Sequence, residues 1–406
     1  MRPALWSVAI QAAGSAATLG AALLVSSQLG LSAQGEFGLL RSWSDALGAL
    51  AVIGLPQGLL HMQYREGVSV AALRAWVFRY LKILLVVLAA MLLLRHFLLP
   101  LEWTPALLQS PQTLGLLALT VALGASHLLW RSLALRDVGL LPYAAMTAAP
   151  SLIVLIALVV VCAIGQRSGL VWALFVGALL SALASAWMVT RVARKEVVDA
   201  SAASWSRQTL WAVSSQTGVQ NIFTALTPPL VLSAAAALGA SLSQVGVLSL
   251  GLHVYQIFGV AAVYIAPMVY DKAARSGDAM SEQQLLDWML ERLTLRAVLA
   301  FTLLMAVAMF FLRTLWPAGS DSLVLVAAMA SAGALSMAVR LMVTLMQARG
   351  AYRALSWHAL GRLVLSVSGS AALMQVWPAA VAVPVALLAT ELILLAWVWK
   401  LMQARR

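Results

Sequence analysis

Long apolar segments recur along the whole chain, and they limit what it can fold into more than any other feature. A helix that crosses a bilayer needs about 20 mostly apolar residues. The 406-residue chain is 63% apolar and 10% charged, whereas about a quarter of the residues of a soluble domain are charged. The pattern predicts an all-α integral membrane protein with about twelve transmembrane helices. The predicted spans cover residues 5–29, 37–60, 76–99, 113–135, 141–164, 169–190, 208–236, 245–270, 293–315, 323–346, 354–376 and 380–402.

The basic residues alternate between the predicted connections. About 20 of the 26 Lys and Arg residues lie near the N-terminus, after even-numbered spans or at the C-terminus. Only Arg95, Arg167 and Arg313 fall in the other connections. Cytoplasmic loops carry this excess of positive charge. We therefore expect a multi-pass protein of the bacterial inner membrane with both termini in the cytoplasm.

The chain also resembles itself. Leu5-Trp6-Ser7-Val8 with Gln11 recurs as Leu210-Trp211-Ala212-Val213 with Gln216, 205 residues later by subtraction. Phe37-Gly38-Leu39-Leu40 lines up with Val245-Gly246-Val247-Leu248 after three inserted residues. Two parallel six-helix repeats, 1–198 and 199–406, are predicted. Such repeats form two pseudo-symmetric lobes around a central cavity.

One stretch resembles a known family. The run from Leu29 to Leu40, LGLSAQGEFGLL, is followed by a segment that closes at Ile53-Gly54-Leu55-Pro56. It resembles the first hairpin of Wzx-type polysaccharide-export flippases, which belong to the multidrug/oligosaccharidyl-lipid/polysaccharide superfamily. Helix count, chain length and the six-plus-six repeat resemble that family over nearly the whole chain.

The resemblance implies alternating access by two six-helix lobes. It implies a cargo of undecaprenyl-pyrophosphate-linked oligosaccharide, such as an O-antigen repeat unit, flipped towards the periplasm. Membrane lipids, a polysaccharide polymerase and a chain-length regulator are the other implied partners. The resemblance supplies no site residue by motif, and no cofactor is expected.

Ionisable residues inside a membrane are costly and mark functional sites by default. Arg362, Arg41 and Arg340 are predicted to bind the diphosphate, with Arg362 the favoured contact, because guanidinium groups bind phosphate oxygens in a bidentate manner. Alternatives remain open for each arginine. Arg41 and Asp45 are four residues apart and can neutralise each other, Arg340 can snorkel to the headgroups, and Glu391 can pair with Arg362.

Three residues are candidates for ion coupling: Asp45, Glu391 and His253. For His253, as for His127, a structural interhelical hydrogen bond is the alternative to proton transfer. Polar side chains also recur at helical spacing in the first and seventh spans. They are predicted to line the cavity, with polar packing between helices as the alternative. They are Gln11, Ser15 and Thr18, then Gln216, Gln220, Asn221, Thr224 and Thr227.

The pair Pro228-Pro229 is predicted to break the seventh span where a gate needs a bend. Cys162 is the only cysteine, so no thiolate metal site is expected, and no basic run suggests nucleic acid. A multidrug or cation antiporter of the same superfamily is the nearest alternative function, and it calls for acidic cavity residues. A membrane glycosyltransferase or polymerase is disfavoured, because the sequence lacks a sizeable extramembrane loop and nucleotide-binding or nucleophile motifs. The protein is therefore predicted to be a transporter and not an enzyme.

Overall fold

The computed structural model describes residues 2–64, 66–98, 110–193, 206–276, 284, 320–348 and 352–403. Twelve helices and no strands lie in these ranges, which confirms the predicted all-α class. The helices are α1 (Arg2–Gln28), α2 (Leu31–Val52), α3 (Leu55–Tyr64), α4 (Val70–Leu98), α5 (Pro111–Asp137), α6 (Leu140–Ile164), α7 (Gly169–Ala193), α8 (Arg207–Ala237), α9 (Leu242–Ser276), α10 (Ser320–Ala348), α11 (Tyr352–Leu373) and α12 (Ala379–Gln403).

Most predicted spans coincide with these helices. Within the described ranges, eight helices are long and apolar enough to cross a membrane, and nine are if the bent pair α2 and α3 counts as one span. The helices α9 and α11 are not among them. In α11 the reason is visible in the sequence, because two arginines, one histidine and four serines interrupt its apolar residues. The predicted ninth span, 293–315, lies outside the described residues.

The second predicted span is broken in the structure. The axes of α2 and α3 differ by 47° across Ile53 and Gly54. Both residues have positive φ, 42° and 71°, and Ile53 is the one non-glycine with positive φ in the described part of the chain. A Cβ atom on Gly54 would lie 2.2 Å from the carbonyl oxygen of Ser214 on α8. Glycine is therefore required here both for its conformation and for the close approach of α8.

Close packing divides the chain into two compact units that differ from the predicted halves. Unit 1 comprises Met1–Leu24 and Leu40–Ala225, and unit 2 comprises Val25–Leu39 and Leu226–Arg406. The first helix of each predicted half, α1 and then α8, passes from unit 1 to unit 2 along its own length. The compact units describe packing and not the sequence repeat, so the predicted boundary between two repeats at residues 198 and 199 stays a prediction.

Each unit has its own packed interior. In unit 1, α5 packs against α7 and α3, and α6 packs against α7. Trp130 of α5 is 1% exposed within a cluster that includes Leu59 and Leu73. In unit 2, α10 packs against α9 and α12, and α12 packs against α11. Glycines permit the approach of α9 and α10 from both sides, since Gly251 of α9 faces Met329 and Gly333 of α10 faces Phe258. Small residues are the usual means of close helix packing in membranes.

Within unit 2 the start of α2 crosses the start of α9 in a reciprocal way. A Cβ on Gly35 would lie 2.1 Å from the Leu242 carbonyl oxygen, and a Cβ on Gly246 would lie 2.1 Å from the Leu31 carbonyl oxygen. By subtraction, Leu242 lies 211 residues after Leu31, and Gly246 lies 211 residues after Gly35. The same pair of equivalent positions is therefore in contact twice, with the partners exchanged. This local two-fold relation supports the repeat seen in the sequence. Its offset in this region is three residues larger than the sequence comparison predicts.

Candidate functional site

A buried ion pair joins α11 to α12 in unit 2. Arg362 donates from Nη2 to Oε2 of Glu391 over 2.8 Å, and the two side chains are 5% and 0% exposed. The helices approach closely on either side of the pair, because a Cβ on Gly361 would touch Leu394 at 3.6 Å and one on Gly369 would touch Ala386 at 3.6 Å. The pairing left open by the sequence is present. Arg362 is therefore occupied by a protein carboxylate.

Two further helices contribute to the same polar cluster. The hydroxyl of Tyr255, on α9, donates to Oε1 of Glu391 over 2.5 Å and lies 3.2 Å from Oγ of Ser336, on α10. Both oxygens of the carboxylate thus have a donor. A buried charge needs such a set of hydrogen bonds to be tolerated.

Arg340 adds a second guanidinium one turn beyond Ser336 on α10. It interacts electrostatically with Arg362, Glu391 and Tyr255. A Cβ on Gly259 of α9 would lie 2.8 Å from its Cζ atom, so the guanidinium lies directly against the backbone of that helix. Arg340 is half-buried in unit 2. The snorkelling alternative for this residue stays a prediction.

Arg41 occupies a different setting in unit 1. Its Nη2 donates to Oγ1 of Thr18 on α1 over 3.1 Å and to Oγ of Ser151 on α6 over 3.4 Å. Its Nε lies 4.0 Å from a carboxylate oxygen of Asp45, whose side chain is 74% exposed, whereas that of Arg41 is 14% exposed. Nη1 of Arg41 is buried and has no hydrogen-bond partner among the described residues. Neutral hydroxyls therefore hold this arginine, and its carboxylate partner is loose.

The predicted polar stripes are present on α1 and α8 with unequal exposure. Gln11 donates to Oγ of Ser7 over 3.1 Å, and Oγ1 of Thr224 donates to the carbonyl of Gln220 over 2.9 Å. Gln216 is exposed, and Gln220, Asn221 and Thr224 are half-buried. These contacts are within single helices, so the cavity-lining role stays a prediction.

The prolines of α8 do not interrupt it. The helix continues from Arg207 to Ala237 with Pro228 and Pro229 inside, so the predicted break is wrong at the level of helix continuity. Proline removes only the hydrogen bond to the carbonyl four residues earlier, and membrane helices tolerate that loss. The chain passes from unit 1 to unit 2 between Ala225 and Leu226, just before the prolines. A gating role for them stays a prediction.

The two candidate histidines differ in position. In unit 1, Nδ1 of His127 is 2.8 Å from Oγ of Ser185 and 3.2 Å from the carbonyl of Ser181, which links α5 to α7. That geometry matches the structural alternative. His253 is half-buried on α9, and its coupling role stays a prediction. No group of three His, Cys, Asp or Glu side chains placed to hold a metal ion is found within the described ranges.

The three arginines and the Arg362–Glu391 pair are recognisable in the sequence, but several residues around them were not predicted. Tyr255 had no distinguishing signal. Ser336 lies four residues before Arg340, and His358 lies four before Arg362, so helical spacing alone was enough to find both. The structure brings Arg340 and Arg362 together in unit 2. Arg41 belongs to unit 1, and the predicted convergence of all three stays a prediction.

Several solved structures share this fold. The chain is similar to an inward-facing multidrug resistance MATE family transporter of the MOP superfamily, with 13% identity, coverage of 99% of this chain and 98% of that one, and a TM-score of 0.68. A mutant MATE transporter of Vibrio cholerae is 16% identical, with coverage of 100% and 96% and a TM-score of 0.64. The lipid II flippase MurJ, in an inward closed conformation, is 12% identical, with coverage of 98% and 87% and a TM-score of 0.65.

No protein-family model and no curated protein sequence matches the chain. At these identities the structural similarity establishes the fold alone. It extends over the whole chain and includes proteins that carry drugs and a protein that flips a lipid. The protein is thus a multi-pass helical membrane protein with the transporter fold of MATE proteins and MurJ.

Proposed function

We propose that the protein is a flippase for an anionic, lipid-linked oligosaccharide, of the undecaprenyl-pyrophosphate type implied by the Wzx-like hairpin. The observation that carries this proposal is the number of arginines and carboxylates within the described helices. Unit 1 holds Arg41 and Asp45 in α2, and unit 2 holds Arg340, Arg362 and Glu391 in α10, α11 and α12. Glu391 is paired with Arg362 at 2.8 Å, and Asp45 is 4.0 Å from Arg41. Among these five described residues the arginines outnumber the carboxylates, which favours an anionic cargo such as a diphosphate.

Arg41 is the proposed contact with the diphosphate. Its side chain is 14% exposed and its buried Nη1 has no hydrogen-bond partner among the described residues. Arg362 is 5% exposed and bound to Glu391, so it has less to offer a cargo. This order reverses the one expected from the sequence. A guanidinium with a free edge suits phosphate oxygens better than one already committed to a carboxylate.

The sugar head crosses through the protein, and the lipid tail stays in the bilayer. The protein shares its fold with a lipid II flippase, and this likeness supports a lipid-linked cargo. The excess of basic residues in alternate connections supports a location in the bacterial inner membrane with both termini cytoplasmic. A cytoplasm-active reporter fused after Arg406 should work, and a periplasm-active one should not.

The test is the fate of the lipid-linked repeat unit in cells that lack the gene. We expect loss of a surface polysaccharide and accumulation of its lipid-linked unit in the cytoplasmic leaflet. Wild-type protein should restore export, and Arg41→Gln at equal membrane level should not. Normal export in the deletion strain would refute the proposal.

Cation antiport is the second candidate, and one observation favours it. The Asp45 carboxylate is 74% exposed and only loosely paired, so it is accessible to a cationic substrate. Several structures of the same fold are multidrug transporters. This candidate predicts that vesicles containing the protein extrude cationic dyes, and that Asp45→Asn abolishes the extrusion. The flippase proposal predicts no dye transport by either form.

A further inference from the structure

One face of α11 is polar along its length although it is buried. His358, Arg362, Ser366 and Ser370 follow one another at intervals of four residues, which places them on one side of the helix. They are 3%, 4%, 0% and 0% exposed. Each has a buried atom without a hydrogen-bond partner among the described residues: Nε2 of His358, Nε of Arg362 and Oγ of both serines. Buried polar atoms are nearly always paired, so four unpaired atoms on one face need a physical reason.

The close packing around this polar face excludes water. Side chains that are 0–4% exposed leave no space for a molecule that could bridge them, and a bridging water needs such a space. The present packing therefore carries the cost of several buried donors and acceptors without partners. A movement of α11 that admits water would remove this cost.

The contact between α11 and α12 permits such a movement. A Cβ on Gly369 would lie 3.6 Å from that of Ala386, which is an ordinary contact distance, and the same distance separates a Cβ on Gly361 from a side chain of α12. Elsewhere in unit 2 the helices interlock, because a Cβ on Gly333 of α10 would lie 2.8 Å from Phe258 of α9. The helix α11 can thus move against α12 more easily than α10 can move against α9.

An ion pair and a ring stack hold α11 against α12. Arg362 donates to Glu391 over 2.8 Å. One turn earlier on α11, the ring of His358 stacks on that of Trp397, with centroids 6.3 Å apart and planes at 17°. A movement that separates the two helices must break the ion pair, and water must then hydrate both charges, because an unpaired charge is not tolerated in a dry interior.

Water and not lipid has to border the polar face after such a movement. Charged and hydroxyl groups are costly to expose to hydrocarbon. The opposite face of α11 carries Trp357 and Val364, which are 63% and 51% exposed, and it suits lipid. The helix thus keeps its apolar face towards lipid and presents its polar face to an aqueous space.

We propose that unit 2 has a second state in which α11 separates from α12, so that the polar face of α11 lines an aqueous passage, and that the Arg362–Glu391 pair is the latch of the closed state. The structure is that of the closed state. The movement lies within unit 2 alone, so it does not depend on Arg41 or on the cargo.

Thiol modification of the full-length protein in lipid nanodiscs measures whether water reaches the polar face. Ser366→Cys is made in a Cys162→Ala background and treated with sulfonatoethyl methanethiosulfonate, a charged reagent that reacts with thiolates in water. We expect modification at least about tenfold faster than that of Ala125→Cys, a position that is 0% exposed in the apolar cluster of unit 1. Equal rates for the two variants would overturn the proposal.

Ser368→Cys distinguishes movement of an intact helix from local unfolding. The hydroxyl of Ser368 is exposed and bonded only within α11, and it lies on the side of the helix that suits lipid. We expect this variant to react as slowly as Ala125→Cys, because a thiolate does not form in hydrocarbon. Equally fast reaction of Ser366→Cys and Ser368→Cys would show that α11 unfolds, which contradicts the proposed movement.

Glu391→Gln tests the latch. It removes the charge that holds Arg362, so it should raise the modification rate of Ser366→Cys by about three- to tenfold. The rate for Ala125→Cys should stay the same, since the change does not touch unit 1. An unchanged rate at Ser366→Cys, or an equal rise at both positions, would refute the role of the pair as a latch.

A disulfide between α11 and α12 gives the opposite test. A Cβ on Gly369 would lie 3.6 Å from that of Ala386, within the range of about 3.5–4.5 Å found in disulfides. Gly369→Cys with Ala386→Cys, once oxidised, should hold the closed state and lower the rate at Ser366→Cys to that of Ala125→Cys. An unchanged rate in protein whose disulfide is complete by mass spectrometry would show that water reaches Ser366 without the proposed separation.

Discussion

Arg41 in unit 1 and Arg362 in unit 2 both lie within helices and both have a carboxylate partner, but the two side chains are held differently. In unit 2, Arg362 forms a 2.8 Å pair with a carboxylate that is 0% exposed. In unit 1, Arg41 is held by the hydroxyls of Thr18 and Ser151, and its carboxylate partner is 4.0 Å away and 74% exposed. In unit 2 the charge of the arginine is neutralised by a buried carboxylate of the protein. In unit 1 the charge of Arg41 is only weakly neutralised, which leaves it able to bind a ligand.

The difference teaches that a charge inside a membrane protein is not by itself a binding site. Burying two charges costs several kcal/mol each, and close pairing with extra hydrogen bonds offsets this cost. Arg362 and Glu391 meet those conditions, because Tyr255 supplies the further donor. Arg41 does not, since an exposed pair contributes little. We therefore assign stability mainly to the pair in unit 2 and ligand contact mainly to Arg41.

The largest expected effect is on stability, and it tests whether the ion pair in unit 2 contributes more to folding than the one in unit 1. Glu391→Ala leaves Arg362 buried without its carboxylate and should lower the free energy of unfolding by about 3–5 kcal/mol. Asp45→Ala, the matched change in unit 1, should lower it by about 0–1 kcal/mol. Unfolding midpoints of the purified variants compare the two. Equal losses would break the distinction between the units.

A double substitution shows whether the pair is needed for stability as such. Arg362→Met with Glu391→Leu should recover most of the stability lost in Glu391→Ala, since apolar replacements of similar size often match a buried ion pair. If the double variant is as unstable as the single one, the helix packing and not the charge is responsible.

The next effect is on transport. Arg41→Gln should abolish export of the lipid-linked unit with little change in the unfolding midpoint, and Arg41→Lys should keep part of it as a point charge. Arg362→Gln should lower both export and stability, because it leaves Glu391 unpaired. Export assays at equal membrane level separate these outcomes. Normal export by Arg41→Gln would remove the proposed diphosphate contact.

A smaller effect concerns the support of Arg340. Gly259→Ala places a methyl group 2.8 Å from the Cζ of Arg340 and should cost about 1–3 kcal/mol by overpacking, unless the guanidinium moves away. Gly361→Ala places one at an ordinary 3.6 Å from Leu394 and is the control. Both gain the same helix propensity, so the difference between their midpoints measures the contact with Arg340.

The smallest expected effect lies at the hydroxyls around Arg41. Ser151→Ala removes an acceptor from Thr18 at 2.9 Å and from Arg41 at 3.4 Å. We expect a loss of about 0.5–1.5 kcal/mol. Ser368→Ala, at an exposed hydroxyl bonded only to its own helix, should change stability by much less. Equal effects would show that the contact with Arg41 is unimportant for stability.

The sequence predicts the helices of this fold well because each needs only an apolar run of sufficient length. The helix break at Ile53 and Gly54 was missed, since the apolar pattern continues across it and only the backbone angles reveal it. The uninterrupted α8 was also missed, because two prolines are a strong local signal that the rest of a long membrane helix overrides.

The candidate site was predicted in part, and the reason is physical. The sequence shows which ionisable residues lie within predicted spans, so it identifies Arg41, Arg340, Arg362 and Glu391 as unusual. It does not show which residues of other helices they contact. The contact of Tyr255 with Glu391 joins residues 136 positions apart and depends on how α9 and α12 pack.

The contact between α2 and α9 has the local two-fold symmetry of a dimer interface, although both helices belong to one chain. In an isologous interface, each contact appears twice with its partners exchanged, as Gly35 with Leu242 and Gly246 with Leu31 do here. Gly38 faces Ser249, its own counterpart at the same offset, as residues on a two-fold axis must. Across the interface, a residue on such an axis packs against its own equivalent. The two repeats are therefore not free to diverge independently at these positions, because a bulkier side chain in one has to be matched by a smaller one in the other.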